Sequence, residues 1–168
     1  MPVRPIVLYP NPILRRKAGH ADPESAETRQ ALQDLWDTLD GHVGVGLAAP
    51  QIGHSLRIIV VDASRARRPV ANHGRIALLN PQIILAEGET AFREGCLSIP
   101  DLVAHIRRAE RAAVAGLLPD GRRTTLTSEG FEAVVFQHEI DHLDGILFID
   151  RVRHARDLKT RLRQEPTP

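Results

Sequence analysis

Residues 128–145 read Ser-Glu-Gly-Phe-Glu-Ala-Val-Val-Phe-Gln-His-Glu-Ile-Asp-His-Leu-Asp-Gly. The spacing predicts a helix over about Glu129 to Leu143, with Ser128 as its cap and Gly145 just beyond its end. Its apolar residues Phe131, Ala133, Val134, Val135, Phe136, Ile140 and Leu143 cover most of the circumference, so the helix is expected at the centre of the molecule. Within it lies His138-Glu139-Ile140-Asp141-His142. Four residues advance about 400°, so the two imidazoles fall about 40° apart and about 6 Å along the axis, where both can reach one metal ion. Glu139 projects about 100° away, suited to a metal-held water rather than to the ion. The alternative is a pair of satisfied core histidines. It requires partners for four polar groups in an apolar helix, which are costly to bury unpaired.

Around this helix the sequence predicts mostly short strands. Asn11-Pro12 opens a helical turn, and about Glu24 to Asp40 carries Leu32, Leu35, Trp36 and Leu39 on one face of an amphipathic helix ended by Gly41. Gly44 to Gln51 looks too glycine-rich for a regular element. Leu56–Val61 and Arg75–Leu79 read as hairpin partners. Gln82–Ala86, Thr90–Arg93, Val103–Arg107, Ala112–Leu118 and Arg123–Thr127 are further strand candidates, the last two flanking the turn Pro119-Asp120-Gly121. Val152 to Gln164 has Val152, Ala155, Leu158 and Leu162 on one side, and reads as a C-terminal amphipathic helix. The expected class is α+β, with mostly antiparallel strands packed around one central metal-binding helix.

The 168 residues suit one domain, with a catalytic part over 1–150 and a basic tail over 151–168. Net charge is +1, so no overall field draws the protein to nucleic acid; the exception is Arg151, Arg153, Arg156, Lys159, Arg161 and Arg163 against Asp157 alone. Cys96 is the sole cysteine, which excludes an internal disulfide and fits a reducing compartment. The opening ten residues hold three prolines and too short an apolar run for a signal peptide, and no run approaches a membrane span. A cytoplasmic protein, monomeric and without a membrane partner, is expected.

A catalytic metal needs a third protein ligand. A histidine six residues after His142 would complete one protease pattern, but Phe148 stands there. A downstream acid would complete another, but Glu165 lies in a polar tail. Cys96, in Glu94-Gly95-Cys96-Leu97-Ser98, is left as a soft ligand for zinc or iron, or as a small buried hydrophobe.

Gly44-Val45-Gly46-Leu47-Ala48-Ala49-Pro50-Gln51, Glu94-Gly95-Cys96-Leu97-Ser98 and Gln137-His138-Glu139-Ile140-Asp141-His142 together resemble the three signature motifs of the peptide deformylases, in order and at about their spacing. Pro10 to Arg15 and Gly145 to Asp150 extend the resemblance over nearly the whole chain. It implies that Cys96, His138 and His142 hold one divalent metal, Fe²⁺ by preference with Zn²⁺ or Ni²⁺ able to substitute. It implies metal-bound hydroxide as nucleophile, Glu139 as general base and acid, and the Leu97 N–H and the Gln51 amide as oxyanion donors. The implied substrates are nascent peptides beginning with N-formylmethionine, and the reaction is hydrolysis of the formyl group during protein biosynthesis. Such a peptide would pair along Val45 and Gly46 beside Gly95, with its methionine among Phe92, Phe131, Val134 and Val135. The resemblance also implies docking on the ribosome through the basic C-terminal helix. Two departures stand out. Many relatives carry an arginine near position 103, where this chain has Val103, and their Val-Pro-Arg reads Ile106-Arg107-Arg108 here, which keeps Arg108 as a partner for Glu94 or Asp141. The competing readings are a metalloprotease and a catalytically silent metal-binding or ribosome-associated module.

Overall fold

The computed structural model describes residues 3–161. Asn11 caps a 3-10 turn over Pro12–Arg15, its side chain accepting from the Ile13 N–H. Helix α1, Ala26–Asp40, starts at Ser25, whose hydroxyl accepts from the Thr28 N–H at 3.0 Å, and stops at Gly41. Strand β1, Gly46–Ala48, runs into a 3-10 turn at Ala49–Ile52. The strands β2 (Ile58–Asp62), β3 (Arg75–Glu87), β4 (Thr90–Cys96), β5 (Ile99–Arg108), β6 (Arg111–Leu117) and β7 (Arg123–Glu129) follow. Helix α2 is Gly130–Leu143, and β8 is Leu158–Thr160.

The strands form a five-stranded sheet, β1-β2-β3-β6-β7, and a three-stranded sheet, β4-β5-β8, every pairing antiparallel. The fold is α+β, as expected. Strand β2 shows why its run of apolar residues is continuous. Ile58 and Val60 pack with Leu35 and Leu39 of α1, while Ile59 and Val61 pack with Val135, Phe136 and Ile140 of α2. A strand covered on both faces alternates between two cores, so the side chains from Ile58 to Val61 are all apolar. Leu14, Cys96, Ile106 and Phe148 build a third cluster under the smaller sheet. No helix among the described residues is long and apolar enough to cross a membrane.

Helix α2 is buried nearly all round, and its polar residues Glu132 and Gln137 have partners. Gln137 donates to the carbonyl of Ala109 and accepts from its N–H. Glu132 accepts from Ser128 and from His73, at 2.9 and 2.7 Å. Ser128 is therefore not the cap of α2; it is the buried residue of β7, and Glu129 occupies the cap position without a side-chain bond. Beyond the helix Gly145 has φ +73°, and a Cβ there would stand 2.5 Å from the Arg15 carbonyl oxygen. Gly145→Ala therefore combines left-handed strain with a backbone clash. It should destabilise the protein by about 2 kcal/mol or more, read as a lower urea midpoint; an unchanged midpoint would refute this packing.

Three further expectations need correction. Gly44–Gln51 contains β1, because Gly46, Leu47 and Ala48 pair with Val61, Val60 and Ile59. Arg75–Leu79 and Gln82–Ala86 form one strand, β3. The C-terminal segment is not a helix over its described part: a 3-10 turn at Ala155–Asp157 leads into β8, which pairs Leu158, Lys159 and Thr160 with Ala104, Val103 and Leu102. The open edge of β5 satisfies backbone groups that an isolated helix would have had to satisfy internally. Leu162, Arg163, Gln164 and Glu165 lie outside the described residues.

Candidate metal centre and active-site cleft

Helix α2 brings His138 and His142 to one face, ring centroids 5.1 Å apart. Cys96 ends β4 where the ladder with β5 slips between Gly95 and Cys96, and a two-residue turn at Leu97-Ser98 carries the chain into β5. This hairpin delivers the thiol to the two imidazoles. One ligand atom from each of the three residues lies within 4.8 Å of the other two. Cys96 Sγ is 3.3 Å from His142 Nε2, close to the edge of about 3.5 Å in a tetrahedron with legs of about 2.0 to 2.3 Å. The donor set and spacing fit a divalent cation.

The histidines are prepared differently. His138 donates from Nδ1 to Glu94 Oε1 at 2.8 Å, which fixes the tautomer and leaves Nε2 for a metal. Burial disfavours its charge, but hydrogen bonds with Cys96 and Glu94 and the nearby Glu139 carboxylate outweigh it and hold its pKa well above the ordinary value. The surroundings of His138 thus favour positive charge. His142 is pushed well below the ordinary value, first by burial and then by His138 and Arg108, so its imidazole is neutral. Behind His138, Arg108 forks onto Glu94 through Nε at 2.6 Å and Nη2 at 2.9 Å, and its Nη1 reaches Asp141 at 2.9 Å. Arg151 makes a second pair with Asp141, Nη2 to Oδ1 at 2.6 Å. Burial raises the Glu94 carboxyl, yet the bonds from His138 and Arg108 prevail and hold it below the usual carboxylate range.

Glu139 points elsewhere. Its carboxyl is pushed up to about 7, chiefly by burial, and Oε2 is buried with no hydrogen-bond partner among the described residues. A Cβ on Gly46 would stand 2.7 Å from Glu139 Oε1 and 3.0 Å from Val135 Cγ1. Glycine at 46 is thus what lets β1 lie against the carboxylate. Gly46→Ala should displace Glu139 and lower turnover by about 10- to 100-fold with little change in Tm; turnover within twofold of the parent would refute the contact.

Gln51 is held by both ends. Its Oε1 accepts from the Ala48 N–H at 2.9 Å, and its Nε2 donates to Ser98 Oγ at 3.2 Å and lies 3.4 Å from Cys96 Sγ. The amide donor consequently faces the thiol. A cleft of about 240 Å³ opens above these groups. Every residue expected in substrate binding lines it: Val45 just before β1 and Gly46 within it, Phe92 and Gly95 from β4, and Phe131, Val134 and Val135 from α2. Leu97, Gln51, Glu139, Cys96 and His138 line it as well, while His142 sits behind them in the core. Phe92 and Phe131 meet with ring centroids 6.0 Å apart. The sequence reading missed Glu94 as the partner of His138, although its place two residues before Cys96 on a strand puts both on one face. It also missed Arg161, which reaches the cleft from the segment after β8.

The polypeptide deformylase family profile matches residues 3–157. A relative from Aquifex aeolicus named peptide deformylase is 42% identical over 154 residues, covering 92% of this chain and 90% of its own. The crystal structure of peptide deformylase from Thermus thermophilus superposes with TM-score 0.79 at 46% identity, over 89% of this chain and 86% of that one. A Met-Ala-Ser-bound class I type b peptide deformylase from Acinetobacter baumannii gives TM-score 0.82 at 32% identity, over 90% of this chain and 99% of that one. With its thiol-and-imidazole centre at the floor of the cleft, the chain belongs to the polypeptide deformylase family of metal-dependent enzymes.

Proposed function

We propose that the protein hydrolyses the N-formyl group of formylmethionyl nascent peptides in the cytoplasm, releasing formate. The observation that supports this best is Glu139. Its carboxyl pKa is pushed up to about 7, with one oxygen unpartnered among the described residues, beside a cleft that ends at Cys96 and His138. Cys96, His138 and His142 would hold the divalent ion, for which Fe²⁺ is favoured and Zn²⁺ or Ni²⁺ can substitute. When bound, the ion supplies Lewis acidity that makes a water nucleophilic near neutral pH.

The chain's own residues do the rest. Glu139 takes a proton from the attacking water as its oxygen bonds to the formyl carbon. It returns that proton to the departing amine nitrogen as the C–N bond breaks. Gln51 Nε2 and the Leu97 N–H donate to the oxyanion between those steps; one such donor is worth about 3 to 4 kcal/mol. The methionine side chain lies among Phe92, Phe131, Val134 and Val135, and the peptide runs out past Val45, Gly46 and Gly95. The catalytic unit is 1–150 with 151–168 appended, and the enzyme acts as a monomer. Ribosome docking through the basic tail rests on Arg156 and Lys159, exposed and unpaired among the described residues, since Arg151 and Arg153 are held by Asp141 and Glu89.

The test is anaerobic hydrolysis of formyl-Met-Ala-Ser by Fe²⁺-loaded protein. Rapid formate release supports the reading. A folded, metal-loaded protein that releases none would overturn it and leave a metal-binding module.

A further inference from the structure

The cleft has an architecture that the reaction alone does not require. Strand β1 is one edge of the five-stranded sheet and β4 is one edge of the three-stranded sheet. Residues of both line the same cleft, so an unpaired strand edge borders it on each side. An extended peptide fits such a slot by main-chain pairing. Its formylated end carries no charge, so beyond the methionine side chain it offers chiefly backbone amides, and each carbonyl there asks for a donor.

Arg161 stands where such a donor would act. Its backbone N–H bonds to the Asp101 carbonyl at 2.8 Å, continuing the pairing of β8 with β5 and fixing the start of the side chain. From there the guanidinium crosses the sheet toward β4: Nη1 lies 3.7 Å from the place a Cβ on Gly95 would occupy. The missing side chain at Gly95 leaves that place free. Among the described residues no carboxylate pairs with this guanidinium. The cleft's own acids are otherwise disposed, with Glu94 in the fork of Arg108 and in contact with His138, and Glu139 deep against Gly46. The neighbouring tail arginines differ, since Arg151 and Arg153 are both paired. Gly95 adjoins the ligand Cys96. A chain advancing about 3.3 Å per residue from the reacting carbon therefore passes this point within its second or third residue.

We propose that Arg161 is a substrate-binding residue, donating to the backbone carbonyls of the second and third residues of the peptide. The inference rests on the deformylase reading and adds to it the way this chain grips the peptide past its methionine. The grip comes from the C-terminal segment, so β8 acts as part of the binding site rather than as a cover for the sheet alone.

Holoenzyme and its Arg161→Ala and Arg161→Lys variants are compared on formyl-Met-Ala-Ser-amide and on formyl-Met-amide, which lacks the downstream carbonyls and any free carboxylate. A charge-assisted bond predicts that Arg161→Ala raises KM for the longer peptide about tenfold with kcat within about twofold, and shifts KM for the shorter one much less. Arg161→Lys should recover part of the loss. Equal effects on both substrates, or a fall in kcat alone, would overturn the proposal, as would unchanged KM for the longer peptide. Calorimetric binding of the product peptide Met-Ala-Ser-amide separates this proposal from the activity. A wild type that releases no formate yet binds the product about tenfold more tightly than Arg161→Ala retains the grip and loses the reaction; equal binding by both proteins removes the grip.

Discussion

Glu139→Ala, loaded with Fe²⁺, should release formate from formyl-Met-Ala-Ser about 10³-fold more slowly than the parent while holding the ion as tightly. The argument is geometric. His138 and His142 lie on one face of α2, and Glu139, about 100° round the helix, cannot join them on the ion. Among the described residues its carboxylate has no hydrogen bond on Oε2, and it abuts the backbone of Gly46, so no structural task there explains its burial. A buried carboxyl without partners is a liability unless it handles a proton. Truncation removes a burden on the fold, so Tm should hold or rise. Glu139→Gln keeps the shape and loses the proton transfer, and should fall as far. Formate assay against metal content by mass spectrometry decides the matter. A variant within tenfold of the parent would assign proton transfer to another group, and one that loses the ion would make Glu139 part of the metal site.

The parts of this molecule that were legible in the sequence share a physical feature: their pattern is local. Helix α2 announces its burial by being apolar all round, and the two histidines by their spacing. Cys96 is different. Alone it reads more readily as a small core residue than as a ligand, and only the hairpin turn of β4 into β5 brings it to the imidazoles. The misread elements depend on distant partners. Gly46 to Ala48 has no strand signature of its own and becomes β1 through pairing with β2. The pattern of β3 breaks at Asn80, which takes φ 51°, and at Pro81, which cannot donate; the ladder with β6 resumes at Gln82. Two apparent strands are thus one. The C-terminal segment has a helical spacing of apolar residues, yet the unpaired edge of β5 draws it into β8. Glycine 46 carries the same lesson within the site, since its need is a contact with Glu139 nearly a hundred residues away.

Arg108→Met should be strongly destabilising, because Arg108 stands between two buried carboxylates. Its side chain is 2% exposed, against 6% for Glu94 and 10% for Asp141. Removing one partner of a buried ionic group leaves an uncompensated charge and costs about 3 to 5 kcal/mol. The two acids are not equally exposed to the loss. Asp141 keeps Arg151, which bonds both of its oxygens. Glu94 loses both arms of its fork and keeps only the imidazole of His138. The damage therefore falls on the residue that orients a proposed ligand, and metal affinity should drop about 10- to 100-fold beside the loss of stability. Arg108→Lys retains the charge but cannot fork, and belongs between the two. Urea unfolding of the metal-free protein reads the first effect, and competition with a chelator reads the second. If Arg108→Met lowers the urea midpoint but leaves metal affinity unchanged, the network is a brace for the fold and His138 is held by packing. If affinity falls in proportion to the weakened Glu94, the brace and the metal centre are one device.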